Sequence, residues 1–130
     1  YALILLRKDG LPCLFYGDYY GIDGEFAQES FKEVLDTLLY ARKDLAYGEQ
    51  TDYFDDPNCI GWTRSGNEDC TPLAVTISND AANNKSMEIG SDWAGQTFYD
   101  ILGNTVTIDE DGWGDFPVSE KSVSVWTIQD

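Results

Sequence analysis

Histidine is absent from this chain of 130 residues, and basic residues are scarce: eight Lys and Arg stand against 24 Asp and Glu, a formal charge of −16. Without histidine there is no imidazole ligand for Zn²⁺, no Ser–His nucleophile pair and none of the commonest general base. A surface this acidic repels phosphate backbones and anionic lipid heads, which excludes nucleic acid and membrane surfaces as partners. No apolar stretch approaches the ~20 residues of a membrane span, so the chain is expected to be soluble. The only methionine is Met87, so Tyr1 reads as an internal position of something longer, or as the residue after a removed leader. Cysteine is sparse and odd in number: Cys13, Cys59 and Cys70, with no C-x-x-C spacing. Cys13 lies in an apolar run and reads as a small core residue, while Cys59 and Cys70 could face each other across a hairpin. An odd, thin set suits a reducing compartment, so the expected location is cytoplasmic, with secretion as the alternative.

Leu11 to Ile22, LPCLFYGDYYGI, dominates what is present. Leu11–Tyr16 reads as a short buried strand, with Pro12 tolerated only near its start. Gly17-Asp18 and Gly21 then break the chain among Tyr16, Tyr19 and Tyr20. Strand ends that feed polar, aromatic loops are where α/β barrels hold ligands. Asp18 reads either as a wall residue of such a site, or one behind it that orients the neighbouring loops, or as a loop aspartate bonding its own backbone. Tyr16, Tyr19 and Tyr20 could stack on sugar rings or pack beneath neighbouring loops.

Tyr1–Leu6 is apolar and too short for periodicity to decide between helix and strand. Ser30-Phe31-Lys32-Glu33 fits a capping box, and Phe31, Val34, Leu35, Leu38 and Leu45 follow at helical spacing. Arg42 and Lys43 suit the carboxyl end of that helix, and Gly48 can supply its left-handed terminator. Beyond Glu49 the pattern turns to short β-rich runs: 51–54, 59–64, 73–78, 85–89, 97–100, 106–108, 115–118 and 122–128. Asp, Asn and Gly clusters separate them, which predicts an antiparallel sandwich and a boundary near Gly48. Neither an internal repeat nor a low-complexity segment is visible.

Two features look chemical and have plainer accounts. Asp109-Glu110-Asp111-Gly112 starts like a calcium loop, but position 5 is Trp113 and glycine comes at 4, so a hairpin turn is expected. Trp62 and Trp126 fall mid-strand and read as core, whereas Trp93 and Trp113 are the candidates for an exposed sugar platform.

The segments YALILLRKDGLPCLFYGDYYGI (1–22), ARKDLAYGEQTDYFDDPNCIGWTRSG (41–66), DILGN (100–104) and GWGDFPVSEKSVSVW (112–126) run in series along the whole chain. Together they resemble the alpha-amylase family of glycoside hydrolases, most closely its liquefying-type and bacterial intracellular members. The resemblance implies an α+β piece: residues 1–48 as the last βα unit of a (β/α)8 TIM barrel, and 49–130 as the Greek-key antiparallel β-sandwich that follows it. It implies cleavage of internal α-1,4 links of starch, glycogen or maltodextrin with retention, and an upstream barrel domain as covalent partner. The family's catalytic carboxylates lie upstream, so no residue of this chain is expected to be catalytic and the segment alone is expected to be inactive. Tyr16, Asp18 and Tyr20 are the implied substrate-side residues. Calcium is implied for the full-length enzyme. The positions that match an interdomain calcium site in some relatives read Pro57, Asn58 and Asn79, neutral groups that predict a weak or vacant site. The alternative function is a non-catalytic carbohydrate-binding module using Trp93 and Trp113.

Overall fold

In a computed structural model, described for residues 1–128, the chain forms two compact units, Tyr1–Ala46 and the residues from Tyr47 onward. The first unit is helical. Helix α1 (Ala2–Leu6), the single turn α2 (Tyr16–Tyr20) and α3 (Lys32–Asp44) are its regular elements. The α3 stripe that is buried is Leu35, Leu38 and Ala41, facing Ala2, Leu5 and Leu6. Phe31 and Val34, expected in that stripe, are about half exposed. The Arg42 guanidinium ties the two helices by donating to the Leu5 carbonyl at 2.7 Å.

The expected strand at Leu11–Tyr16 does not form. Residues 11–15 carry no regular structure, Leu11 is 99% and Phe15 56% exposed, and the chain turns helical at Tyr16. Ladder hydrogen bonds need a neighbouring strand, and among the described residues none lies beside this run. Cys13 accordingly is exposed rather than core. The capping box does not form, and α3 starts one residue later than it would require, with Phe31 as the N-cap and no side-chain cap bond. The Ser30 hydroxyl accepts the Lys32 N–H at 3.1 Å while donating to the Tyr19 carbonyl at 2.6 Å. Gly48 is not the helix terminator, because α3 ends at Asp44 with Leu45 as its cap. It serves the second unit instead: at φ +82°, a Cβ there would lie 2.1 Å from the Gly66 carbonyl oxygen.

The second unit is an antiparallel β structure in two layers. Its strands are β1 (Gln50–Asp56), β2 (Cys59–Arg64), β3 (Leu73–Ser78), β4 (Asn83–Glu88), β5 (Thr97–Tyr99), β6 (Thr105–Thr107), β7 (Trp113–Val118) and β8 (Ser122–Ile128). Six form one sheet in the order β1-β2-β3-β8-β5-β6, and β4 pairs with β7 to form the other. Alternation along each strand sends one face inward, and Ala74, Met87, Phe98, Val106, Ile108, Phe116 and Trp126 fill the space between. Phe116 is the hub, edge-on to Phe98 at 5.9 Å and to Trp126 at 5.7 Å between centroids. The buried Trp126 indole N–H donates to Thr76 Oγ1, whose hydroxyl in turn reaches the Pro117 carbonyl across the layers, both at 3.4 Å. Trp62 is also fully buried, as expected. Asp109 makes the predicted β6–β7 turn, its carboxylate accepting the Asp111 and Trp113 N–H groups at 2.9 Å.

Candidate functional site

The α2 turn gathers the residues that the sequence singled out. Asp18 lies on its first turn, and both carboxylate oxygens are engaged: Oδ2 accepts the Tyr1 hydroxyl, and Oδ1 accepts the Gln28 amide at 2.5 Å. The Tyr1 oxygen also accepts the Phe15 N–H at 3.2 Å. Asp18 thus pins the start of the chain to the loop that closes at the Ile22–Gln28 bridge. The aspartate bonds distant side chains rather than its own backbone. Donating to a carboxylate stabilises the neutral phenol, so the Tyr1 hydroxyl titrates above its ordinary range.

Tyr16 and Tyr20 lie four residues apart on α2, their ring centroids 4.7 Å apart at a tilt of 38°. Both are mostly exposed. Tyr19 meets Tyr20 edge-on at 4.7 Å and turns its hydroxyl to Asp36 at 2.6 Å. Lys32 pairs with Asp36 at 2.5 Å and lies over the Tyr19 ring at 5.1 Å. The lysine and the tyrosine together hold the Asp36 carboxyl below the usual range, and the same pairing raises Lys32. The structure therefore joins Tyr16, Asp18 and Tyr20 on one turn, with the paired tyrosine rings mostly exposed. Sequence reasoning missed Tyr1 and Gln28 as the partners of Asp18, and Asp36 as the partner of Tyr19, since partners 10 to 17 residues away leave no local spacing signal.

Asn58 and Asn79 meet at the end of the β2–β3 ladder, where the Asn58 carbonyl accepts the Asn79 N–H at 3.2 Å. The Asn58 N–H is bonded to Asp56 Oδ1 at 2.8 Å. Asn58 and Asn79 offer a cation only uncharged amide oxygens, and the Asn58 carbonyl already accepts one hydrogen bond, so the pair brings none of the ligand charge on which calcium affinity depends. Among the described residues no group of three or more His, Cys, Asp or Glu is placed to hold a metal. Trp113 is 37% exposed and edge-on to Tyr53 at 6.1 Å, while Trp93 is half-buried on a short 3₁₀ turn. Cys59 is buried, which pushes its thiol up.

A hub that sequence did not disclose is Asp100, in the turn between β5 and β6. Its buried carboxylate accepts the Leu102 N–H at 2.9 Å, the Asn104 N–H at 2.8 Å and the Asn104 side-chain amide at 2.8 Å.

Residues 73–127 match the alpha-amylase C-terminal family. Across 97% of its length the chain is 50% identical to an alpha-amylase of Geobacillus stearothermophilus, of which it covers 24%. It is 42% identical over 97% of the chain to the alpha-amylase of Bacillus licheniformis, covering 26% of it. All of the chain aligns with the cytoplasmic alpha-amylase of Escherichia coli at 39% identity, covering 29% of that protein. The chain therefore spans about a quarter of the length of these relatives. Among solved structures, an Anoxybacillus alpha-amylase superposes on 76% of the chain with TM-score 0.56 and 17% identity, covering 23% of that protein. A gamma-CGTase from Bacillus clarkii gives TM-score 0.55 over 76% of the chain at 23% identity, covering 16% of that protein. Among the described residues, no helix is long and apolar enough to cross a membrane.

Proposed function

We propose that this chain, which belongs to the alpha-amylase family and carries that family's C-terminal domain, is the carboxyl-terminal part of an enzyme that hydrolyses internal α-1,4 links of starch, glycogen or maltodextrin with retention. Retaining hydrolysis needs two carboxyl groups about 5 Å apart, one attacking carbon and one exchanging a proton with the glycosidic oxygen. Both belong to the upstream part, and the isolated chain is inert. Residues 1–48 are the end of the catalytic barrel, and residues 49–130 are the sandwich that follows it. Within the enzyme, residues 11–16 become a strand only when upstream strands run beside them. The exposed apolar side chains of Leu11, Phe15, Phe31 and Val34 support this reading, because burial of each is worth about 1.5–3 kcal/mol. Asp18 is a positioning residue that holds the loop, while Tyr16 and Tyr20 offer ring faces to an α-glucan. The proposed compartment is the cytoplasm.

The observation that carries the proposal is the 50% identity that runs through both units to one amylase. Joining the chain to the upstream part of that Geobacillus enzyme, in place of the quarter that it matches, tests it. The hybrid is expected to thin soluble starch, whereas a folded hybrid without activity refutes the assignment. A second reading, glucan binding through Trp113 and Trp93, draws on the exposed Trp113 ring beside Tyr53.

A further inference from the structure

The second unit carries most of the chain's excess charge. From Tyr47 onward the sequence holds 16 Asp and Glu against Arg64, Lys85 and Lys121, a charge of −13, whereas residues 1–46 hold eight against five. Folding widens that imbalance at the surface. Arg64 and Lys85 are both buried, each 6% exposed. The Arg64 guanidinium donates to the Gly48 carbonyl at 3.2 and 3.1 Å, and the Lys85 ammonium meets Asp55 at 2.9 Å. Lys121, on the turn before β8, is the one exposed cation among the described residues of this unit. Thirteen of its acidic residues are exposed.

These carboxylates lie close enough to repel one another. The β4–β7 register sets Glu88 opposite Trp113 and Asp115 opposite Ser86, so two exposed acids are diagonal neighbours, about 7–8 Å apart across the strands. Asp109, Glu110 and Asp111 follow one another in the turn that leads into β7. Exposed charges act over about 30 Å at 0.01 M salt but only about 3 Å at 1 M. In dilute solution each carboxylate therefore feels the others, and expansion of the chain relieves the repulsion. In concentrated salt only immediate neighbours still interact. We propose that the second unit is an ionic-strength-sensitive element built for a salt-rich solution, whose fold is tightened by salt and loosened by dilution. This property belongs to the unit whatever enzyme it completes.

The test is urea unfolding of the whole chain in NaCl from about 0.01 to about 1 M. All four tryptophans lie in the second unit, so their fluorescence follows it. The midpoint is expected to rise by about 1 M urea over that range, most of it below about 0.3 M NaCl, where screening changes fastest. Glu68→Gln, Asp92→Asn, Glu110→Gln and Glu120→Gln together neutralise four exposed carboxylates outside the strands. That variant should start from a higher midpoint at low salt and respond less to NaCl. Lys121→Gln removes the exposed cation and should steepen the response. A parental midpoint that stays flat or falls with NaCl overturns the proposal. So does an undiminished response in the fourfold variant, which would assign the salt effect to apolar surface instead. Should the fourfold variant not fold, Lys121→Gln decides alone, and an unsteepened response refutes the role of charge.

Discussion

Phe116→Ala removes the ring about which the second unit is packed. The side chain is fully buried and has two edge-on aromatic neighbours, Phe98 and Trp126. Truncating a buried phenylalanine costs about 3–5 kcal/mol, and lost edge-to-face contacts place this site toward the upper end. Single domains hold together by only about 5–15 kcal/mol, so about 4 kcal/mol is a large share. For a unit of this size the melting midpoint should drop by about 15–30 °C. Trp62, Trp93, Trp113 and Trp126 all belong to the second unit, so intrinsic fluorescence in urea follows that unit alone. A midpoint displaced by less than about 1 kcal/mol, with an unchanged slope, would refute the packing argument.

Leu38→Asp places a carboxylate in the α1–α3 contact, and far-UV circular dichroism should lose the helical signal; a melt overlaying the parent contradicts that packing. Asp18→Asn should return the Tyr1 phenol toward its ordinary value in an ultraviolet pH titration. Because the folded-state value is raised, its stabilising contribution is complete below about pH 10 and is lost as pH rises through the folded value. Asp55 behaves in the opposite sense. The buried Lys85 ammonium, 2.9 Å away, lowers its carboxyl, so that contribution is present above the ordinary carboxylate value and is lost as pH falls through the folded one. Carboxyl ¹³C titration of Lys85→Met should show Asp55 back at its ordinary value, and an unmoved Asp55 would contradict the pairing. Gly48→Ala should destabilise the second unit by more than about 1 kcal/mol, since it combines φ +82° with a 2.1 Å approach to the Gly66 carbonyl. An unchanged urea midpoint would refute the clash.

The second unit was legible because its evidence is local. Asp, Asn and Gly clusters mark each turn, and the runs at 59–64, 73–78 and 122–128 coincide with β2, β3 and β8. Placement of Trp62 and Trp126 in the core followed from their mid-strand positions. The Asp100 hub was not legible, since it depends on how the β5–β6 turn folds its own N–H groups onto one carboxylate. Unit one was misread where apolar character was equated with burial. Leu11, Cys13, Phe31 and Val34 fit a buried pattern, but periodicity says nothing about whether a partner is present. Gly48 fitted a helix end by spacing, yet its need for glycine comes from Gly66, a residue 18 positions away. The Asp18 reading named neither of its partners, Tyr1 and Gln28, for the same reason.

The central claim is that this chain completes an alpha-amylase whose catalytic carboxylates lie elsewhere. Hydrolysis of a blocked maltoheptaoside by the chain alone, and by the upstream part of the Geobacillus amylase with and without the chain joined to it, measures this directly. The account predicts no turnover from the chain, little from the upstream part, and sustained endo-cleavage from the joined protein. Turnover by the chain alone, or a folded joined protein no more active than the upstream part, would contradict it.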